Sequence, residues 1–156
     1  MTSLTDADIQ RLLREHKPLE ADFRKRFAPR RKRGHSENEF GLTGADGSEF
    51  RVIVRQAQAN PLDFSVVLAY RVPNSNQLFR LRRYNGKSHQ HTNSLEANTF
   101  YDFHIHQATE RYQDSGFRED TFAEPTDRYS DLAGAIECLI QDCGFVLPRG
   151  SQPELF

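Results

Sequence analysis

Four of the six histidines fall within eighteen residues, as the two His-x-His pairs His89/His91 and His104/His106. An imidazole changes charge near neutral pH, so two of them can divide the roles of general base and general acid. In "FYDFHIHQATERYQ", residues 100–113, the alternation of apolar and polar residues is typical of a strand and places His104 and His106 on one face with Asp102. All four histidines are therefore candidate catalytic residues.

Cationic side chains occur in the preceding predicted strand, "QLFRLRRYNG", residues 77–86. Its alternation predicts Phe79 and Leu81 inward, with Arg80, Arg82 and Tyr84 on the same face as the histidines. Arginines can hold a phosphate and stabilise its developing charge, and Tyr84 could orient a substrate as a further catalytic-site residue. The predicted substrate-binding residues are Arg80, Arg82, Arg83, Asn85 and Lys87. Together these residues suit RNA cleavage through the 2′-hydroxyl, a reaction that requires no metal and no cofactor.

The same region allows a second chemistry. In "HIHQATERYQDSG", residues 104–116, the spacing of His104, His106, Glu110 and Gly116 resembles the first motif of cupins. Imidazole and carboxylate ligands suit zinc, iron, nickel or manganese. His89 and His91 would have to complete such a metal site. The plain alternative to both chemistries is a solvated sheet face, on which alternating polar residues are ordinary.

The elements that must position these residues follow from periodicity. Thr5 and Asp8 predict a capped first helix over residues 6–16, and a second helical piece ends before Pro29. Ser130 and Gly144 bracket a last helix. Between them, period-two patterns predict strands at 36–44, 50–58, 63–72, 77–86 and 99–106. The expected fold class is α+β: an antiparallel β-meander of four to five strands with N-terminal and C-terminal helices packed on one face.

Length and composition limit the number of domains and the expected location of the protein. With 156 residues, 37% of them hydrophobic, the chain can bury one core. We divide it into an N-terminal helical and basic segment (1–33), an α+β core domain (34–146) and an irregular tail (147–156). The two cysteines, Cys138 and Cys143, are expected to be reduced thiols. No apolar run approaches the length of a membrane span, so we expect a cytoplasmic protein with no membrane partner.

Seven of the twenty-one basic residues lie in "RKRFAPRRKR", residues 24–33. Such a run can hold RNA or DNA through phosphates, with Phe27 available to stack on a base. The alternative is a solvated connector. The predicted nucleic-acid-binding residues are Arg24, Lys25, Arg26, Arg30, Arg31, Lys32 and Arg33.

The stretch from Phe50 to Gly144 resembles a group of small bacterial and phage-borne proteins of unknown function. Its "FRLRRYNGKSHQHTN" and "FYDFHIHQATERYQ" are also similar in layout to the TumE-type toxins of toxin-antitoxin systems. There, a strand ending in an Arg-aromatic-Asp-Asn motif is followed by one histidine and then by a second histidine-rich strand. The counterparts here are Arg83, Tyr84 and Asn85, then His89 or His91, then His104 and His106. The resemblance implies a mobile-element or defence setting, RNA cleavage, and a protein partner that restrains it.

Three functional hypotheses follow. The first is a protein that engages nucleic acid, RNA rather than DNA, and cuts it with paired histidines. The second is a non-catalytic binding module, a phage or plasmid protein that occupies a host or anti-phage component through its basic segment and polar sheet face. The third is a metal-dependent enzyme with histidine and glutamate ligands.

Overall fold

The computed structural model describes residues 2–151, and four helices lie in that range. They are α1 (Asp6–Arg14), α2 (Phe23–Phe27), α3 (Glu110–Asp114) and α4 (Leu132–Asp142). The predicted capping box opens α1, since the Thr5 hydroxyl accepts from the Asp8 backbone and the Asp8 carboxylate accepts from the Thr5 backbone. The cap of α4 is Asp131, one residue after the predicted Ser130. Gly144 follows α4 with a φ of 77°, the left-handed conformation that glycine tolerates at a helix end.

Eleven strands lie in the same range: β1 (Lys17–Pro18), β2 (Arg30–Arg31), β3 (His35–Thr43), β4 (Glu49–Ala57), β5 (Phe64–Arg71), β6 (Leu78–Asn85), β7 (His91–Asn93), β8 (Asn98–Phe100), β9 (His104–Gln107), β10 (Ala123–Pro125) and β11 (Phe145–Val146). Seven of them form one antiparallel sheet in the order β10-β9-β6-β5-β4-β3-β2. The hairpin β7–β8 and the parallel pair β1–β11 stand apart. The α+β class is confirmed, and the sheet is larger than predicted because β2 and β10 are too short to show an alternation.

One face of the sheet, which we call the helix face, forms the core. Alternate residues such as Val52, Val54 and Leu68 are fully buried there, in the same apolar cluster as Leu12 of α1 and Leu139 of α4. Burying each such side chain contributes roughly 1.5–3 kcal/mol. Because α1 and α4 share this cluster, the N-terminal segment packs into the same core as the sheet.

A buried lysine joins the ends of α1 and α4. Lys17 Nζ donates to the carbonyl oxygens of Leu12, Glu15 and Cys143 at 2.7, 2.8 and 2.7 Å. Burial lowers the pKa of Lys17 to about 8. These contacts occupy the ammonium group fully, so Lys17 stabilises the junction of the two helix ends.

The remaining regions agree in part with the predicted segments. The predicted tail begins at Leu147, which packs against the core, and its last five residues, 152–156, lie outside the described range. Both cysteines are free and buried. Among residues 2–151, none of the helices combines the length and the apolar character that crossing a bilayer requires.

Candidate metal centre

Three histidines from two separate parts of the chain converge. His91 begins β7, whereas His104 and His106 lie on β9. Their ring centroids are 5.5 Å apart for His91 and His104, 4.9 Å for His91 and His106, and 5.0 Å for His104 and His106. One ring nitrogen from each lies within 4.8 Å of the other two. This spacing is close enough for the three rings to share one ion after small side-chain rotations.

The sheet register explains the common direction of His104 and His106. Strand β9 lies between β6 and β10, where Asn85 pairs with His104 and Arg83 pairs with His106. Ile105 enters the core cluster, so its two neighbours point to the opposite face, as the alternation predicted. We call that side, which carries Arg83, Asn85, His104 and His106, the histidine face.

The two histidines are not on a solvated surface. His104 is 0% and His106 is 4% exposed. The hairpin β7–β8 is held at this end of the sheet by Asn93, whose Nδ2 donates to the Ala123 carbonyl at 2.7 Å and whose Oδ1 accepts from the Ala123 backbone N–H at 2.9 Å. Because the hairpin brings His91 against the two rings of β9, the histidine face is covered there.

Each ring is oriented by a hydrogen-bond acceptor. His104 Nδ1 donates to the Asp102 carbonyl at 2.7 Å, and His106 Nδ1 donates to the Asp120 carbonyl at 2.8 Å. A carbonyl oxygen can only accept, so both Nδ1 atoms carry the proton and both Nε2 atoms keep a lone pair. His91 Nε2 lies 2.8 Å from Asn93 Oδ1, which leaves the lone pair of His91 on Nδ1. Such outer acceptors are typical of metal-ligating histidines.

Burial keeps the two β9 imidazoles neutral. Desolvation lowers the pKa of His104 to about 4 and that of His106 to about 2, with further lowering from Arg83 and from neighbouring histidines. Neutral imidazole is the form that binds metal. A histidine that acts as a general acid must be an imidazolium near neutral pH, and these two buried rings are neutral, so the geometry suits metal ligation better than a proton-transferring pair.

Asn85, a predicted substrate-binding residue, lies beside the three rings. It is 6% exposed, and its Nδ2 is 3.5 Å from His104 Nε2. Its buried Oδ1 has no hydrogen-bond partner among the described residues. Buried polar atoms are normally satisfied, and an amide oxygen can ligate a divalent ion once the amide turns over. As the amide stands, Nδ2 and not the unpartnered oxygen faces His104 Nε2, so Asn85 lies beside the candidate site and is not a member of the ligand group.

Two arginines on the histidine face lie close to carboxylate side chains. Arg83 Nε lies 3.2 Å from Oδ2 of Asp120, a residue that is 1% exposed. Arg80 lies further along β6, where its backbone N–H donates to Glu119 Oε2 at 2.9 Å. Of the two, only Arg83 pairs in register with a histidine of the cluster.

The prediction that Arg82 and Tyr84 share the histidine face is wrong. Arg80 pairs with Ala69 and Arg82 pairs with Leu68, so Leu81 is an extra, unpaired residue that forms a β-bulge. One extra residue reverses the alternation beyond it and turns Arg82 and Tyr84 toward the helix face.

There, the Tyr84 hydroxyl donates to Asp142 Oδ2 at 2.6 Å, and Arg82 Nη1 lies 3.9 Å from the same carboxylate. Burial raises the pKa of Tyr84. The two side chains hold β6 against the end of α4, away from the histidines.

The loop between β6 and β7 places two other predicted site residues, His89 and Lys87, at the edge of the histidine cluster. His89 is exposed, with its ring 5.4 Å from that of His104, and lies outside the group of three. Lys87 is half-buried, with Nζ 5.8 Å from the Tyr101 ring. Glu110, the carboxylate of the cupin-like spacing, instead accepts from the Asp6 backbone at 3.1 Å and begins α3. It is not a member of the cluster.

The basic segment lies at the other edge of the sheet. Arg30 and Arg31 form β2, which is separated from β9 by five strand spacings, or about 24 Å. Residues 30–33 are exposed. In α2, Arg26 pairs with Asp22, and Lys25 is exposed. The Arg24 guanidinium lies 4.6 Å from the Phe23 ring.

Phe27 is 0% exposed, so the expectation that it could stack on a base is wrong. It is part of the core cluster and packs edge-on against Phe40, with ring centroids 5.1 Å apart.

The predicted site residues do not include Asn93 and Asp120, which orient His91 and His106. Both belong to short or irregular segments, where no periodicity reveals a neighbour. The only local signal was the placement of Asn93 two residues after His91, which puts both side chains on one side of a strand.

Comparison with known proteins adds no assignment, since no family model, no curated protein and no solved structure matches this chain.

Proposed function

We propose that the protein is a metal-dependent enzyme whose centre is held by His91, His104 and His106. The observation that carries the proposal is the convergence of three imidazoles, each directed by an acceptor that leaves one lone pair available. Three protein ligands with a further position left for water or substrate are typical of catalytic rather than structural zinc sites.

The donor atoms narrow the choice of ion. An all-imidazole set suits zinc, iron, nickel or copper, whereas magnesium and calcium prefer oxygen ligands. Such an ion, when bound, supplies Lewis acidity for a hydrolytic reaction. The residues of this chain hold and orient the imidazoles through Asn93 and the carbonyls of Asp102 and Asp120.

A metal-binding measurement tests the proposal. Protein purified without a histidine tag is titrated with Zn²⁺ by calorimetry, and bound metal is counted by elemental analysis. We expect one ion per chain, with affinity reduced by more than about 100-fold in His106→Asn, because a ligand is lost. His16→Asn, at an exposed histidine after α1, is the control and should bind like the parent. Absence of binding by the parent, or undiminished binding by His106→Asn, would contradict the proposal.

A second candidate, engagement of nucleic acid, is favoured by the basic segment. Arg30, Arg31, Lys32 and Arg33 are all exposed and make no ion pair with the described residues. We propose that this edge binds RNA through phosphates, with a protein partner of a toxin-antitoxin or defence system as the alternative occupant. A strand of RNA would need to extend about 24 Å along the sheet to reach the histidines from this edge.

A further inference from the structure

We propose that the metal centre takes an oxyanion, a phosphate or carboxylate group of the substrate, held between the ion and the guanidinium of Arg83. The inference rests on the proposed function and identifies the class of group that completes the site.

The charge balance is the first step. Three neutral imidazoles leave both charges of a divalent ion uncompensated, in a place where His104 and His106 are almost fully buried. A buried charge is normally paired. Among the described residues, the group of potential ligands contains the three histidines and no carboxylate. We infer that a bound anion supplies the counter-charge.

Asp120 contacts the cluster but does not supply the counter-charge. It offers His106 its backbone carbonyl, while its carboxylate Oδ2 is directed at Arg83 Nε, 3.2 Å away. The acid therefore positions the guanidinium instead of ligating the ion.

Arg83 is placed to receive the anion. It lies opposite His106 in the β6–β9 register, so the two side chains share one face as direct cross-strand neighbours. Asp120 Oδ2 lies 3.2 Å from Nε of the guanidinium. The two terminal amino groups make no hydrogen bond with the described residues, and the side chain is 30% exposed. A guanidinium with two such groups can hold an oxyanion by paired, charge-assisted hydrogen bonds.

The residues around the histidine cluster also favour an anionic ligand. The loop that follows β6 carries Lys87 and His89, and His89 is the exposed member whose ring approaches His104. Asn85 adds an amide beside His104 Nε2. An approaching anion thus meets cationic and hydrogen-bond-donating side chains before it reaches the three histidines.

Cobalt substitution tests the inference with a readout other than activity. Protein loaded with Co²⁺ at pH 7 is titrated with inorganic phosphate and, separately, with sodium acetate, and the visible absorption of the ion is followed. We expect a saturable spectral change. Arg83→Gln should weaken anion binding by roughly tenfold to a hundredfold, the range for charge-assisted hydrogen bonds, and leave Co²⁺ affinity within about threefold. Arg55→Gln, at an exposed arginine of β4, is the matched control and should behave like the parent.

A second variant guards against misfolding. Arg83→Gln leaves the buried Asp120 without its partner, so the double variant Arg83→Gln/Asp120→Asn removes both charges and should show the same loss of anion binding. A response to phosphate alone identifies a phosphoryl group, a response to acetate alone identifies a carboxylate, and either supports the inference. An unchanged spectrum with both anions, or full affinity in both variants, would overturn it. Failure of the parent to bind Co²⁺ would instead remove the metal centre and this inference with it.

Discussion

At the scale of single residues, Asn93 has the most connected side chain near the cluster. It is 2% exposed, bonds to both backbone groups of Ala123, and accepts from His91 Nε2. The same amide therefore attaches the hairpin to β10 and fixes the tautomer of a ligand. That double role makes it a positioning residue for the proposed metal.

Asn93→Ala should weaken Zn²⁺ binding by roughly 10- to 100-fold, as loss of an outer partner typically does. It should also lower the free energy of unfolding by about 1–3 kcal/mol, because it leaves the Ala123 N–H and C=O unpaired. Calorimetry and urea unfolding measure the two effects. The control is Asn98→Ala, at the exposed residue that pairs with Asn93 across the hairpin. If Asn93→Ala binds Zn²⁺ as tightly as the parent, Asn93 does not orient the ligand.

At the scale of elements, the bulge in β6 sorts the polar residues of one strand into two sets. Arg83 and Asn85 go to the histidine face, while Arg82 and Tyr84 go to the helix face and contact Asp142. Although burial works to raise the pKa of Asp142, hydrogen bonds from Arg128 and Tyr84 lower it. The sequence of β6 suggests a single row of cationic side chains. In the structure, one side of β6 contributes to the candidate site and the other side contacts the end of α4.

Strand β2 is the element that tests nucleic-acid engagement. Arg31→Glu/Lys32→Glu should weaken binding of a short single-stranded RNA by about tenfold near 0.1 M salt and reduce the salt dependence, because two phosphate contacts are lost. Fluorescence anisotropy at several salt concentrations measures both quantities. Arg11→Glu/Arg14→Glu, which makes the same charge change on the exposed side of α1, is the control. Equal losses in the two variants would mean that net charge, and not this edge, attracts the RNA.

At the scale of the whole molecule, the buried histidines couple stability to pH. The unfolded chain titrates these groups at about 6.5, whereas the folded pKa values are about 4 for His104 and about 2 for His106. The unfolded state therefore binds more protons below pH 6.5, and the contribution to stability present above that pH is lost as the pH falls. Near pH 5 the loss amounts to roughly 2 kcal/mol for each histidine.

Urea unfolding at pH 7 and pH 5 should show this loss in the parent protein. In the variant His104→Asn/His106→Asn, the loss of stability between pH 7 and pH 5 should be smaller by the contribution of these two histidines. The loss due to other titrating groups should remain. Saturating Zn²⁺ at pH 7 should raise the melting temperature of the parent and not that of the variant, because the ion binds only the folded site. The same pH-dependent loss in both proteins would show that the two imidazoles are not buried neutral in solution.

Much of the fold is predictable because it depends on local periodicity. The alternation in β4 and β5 selects Val52, Val54, Val66 and Leu68 for the core, and the Thr5 capping box begins α1. In contrast, β2 and β10 comprise two and three residues and exist only as partners of longer strands. No sequence window of that length carries a usable period.

The sequence by itself determined that His104 and His106 point the same way, since successive side chains of any strand alternate. Only the tertiary structure decided that His91 joins them, that the β7–β8 hairpin covers His104 and His106, and that Tyr84 points to the opposite face. The physical reason is that these outcomes depend on register between segments distant in the chain and on one unpaired residue, Leu81, which reverses the direction of the residues after it.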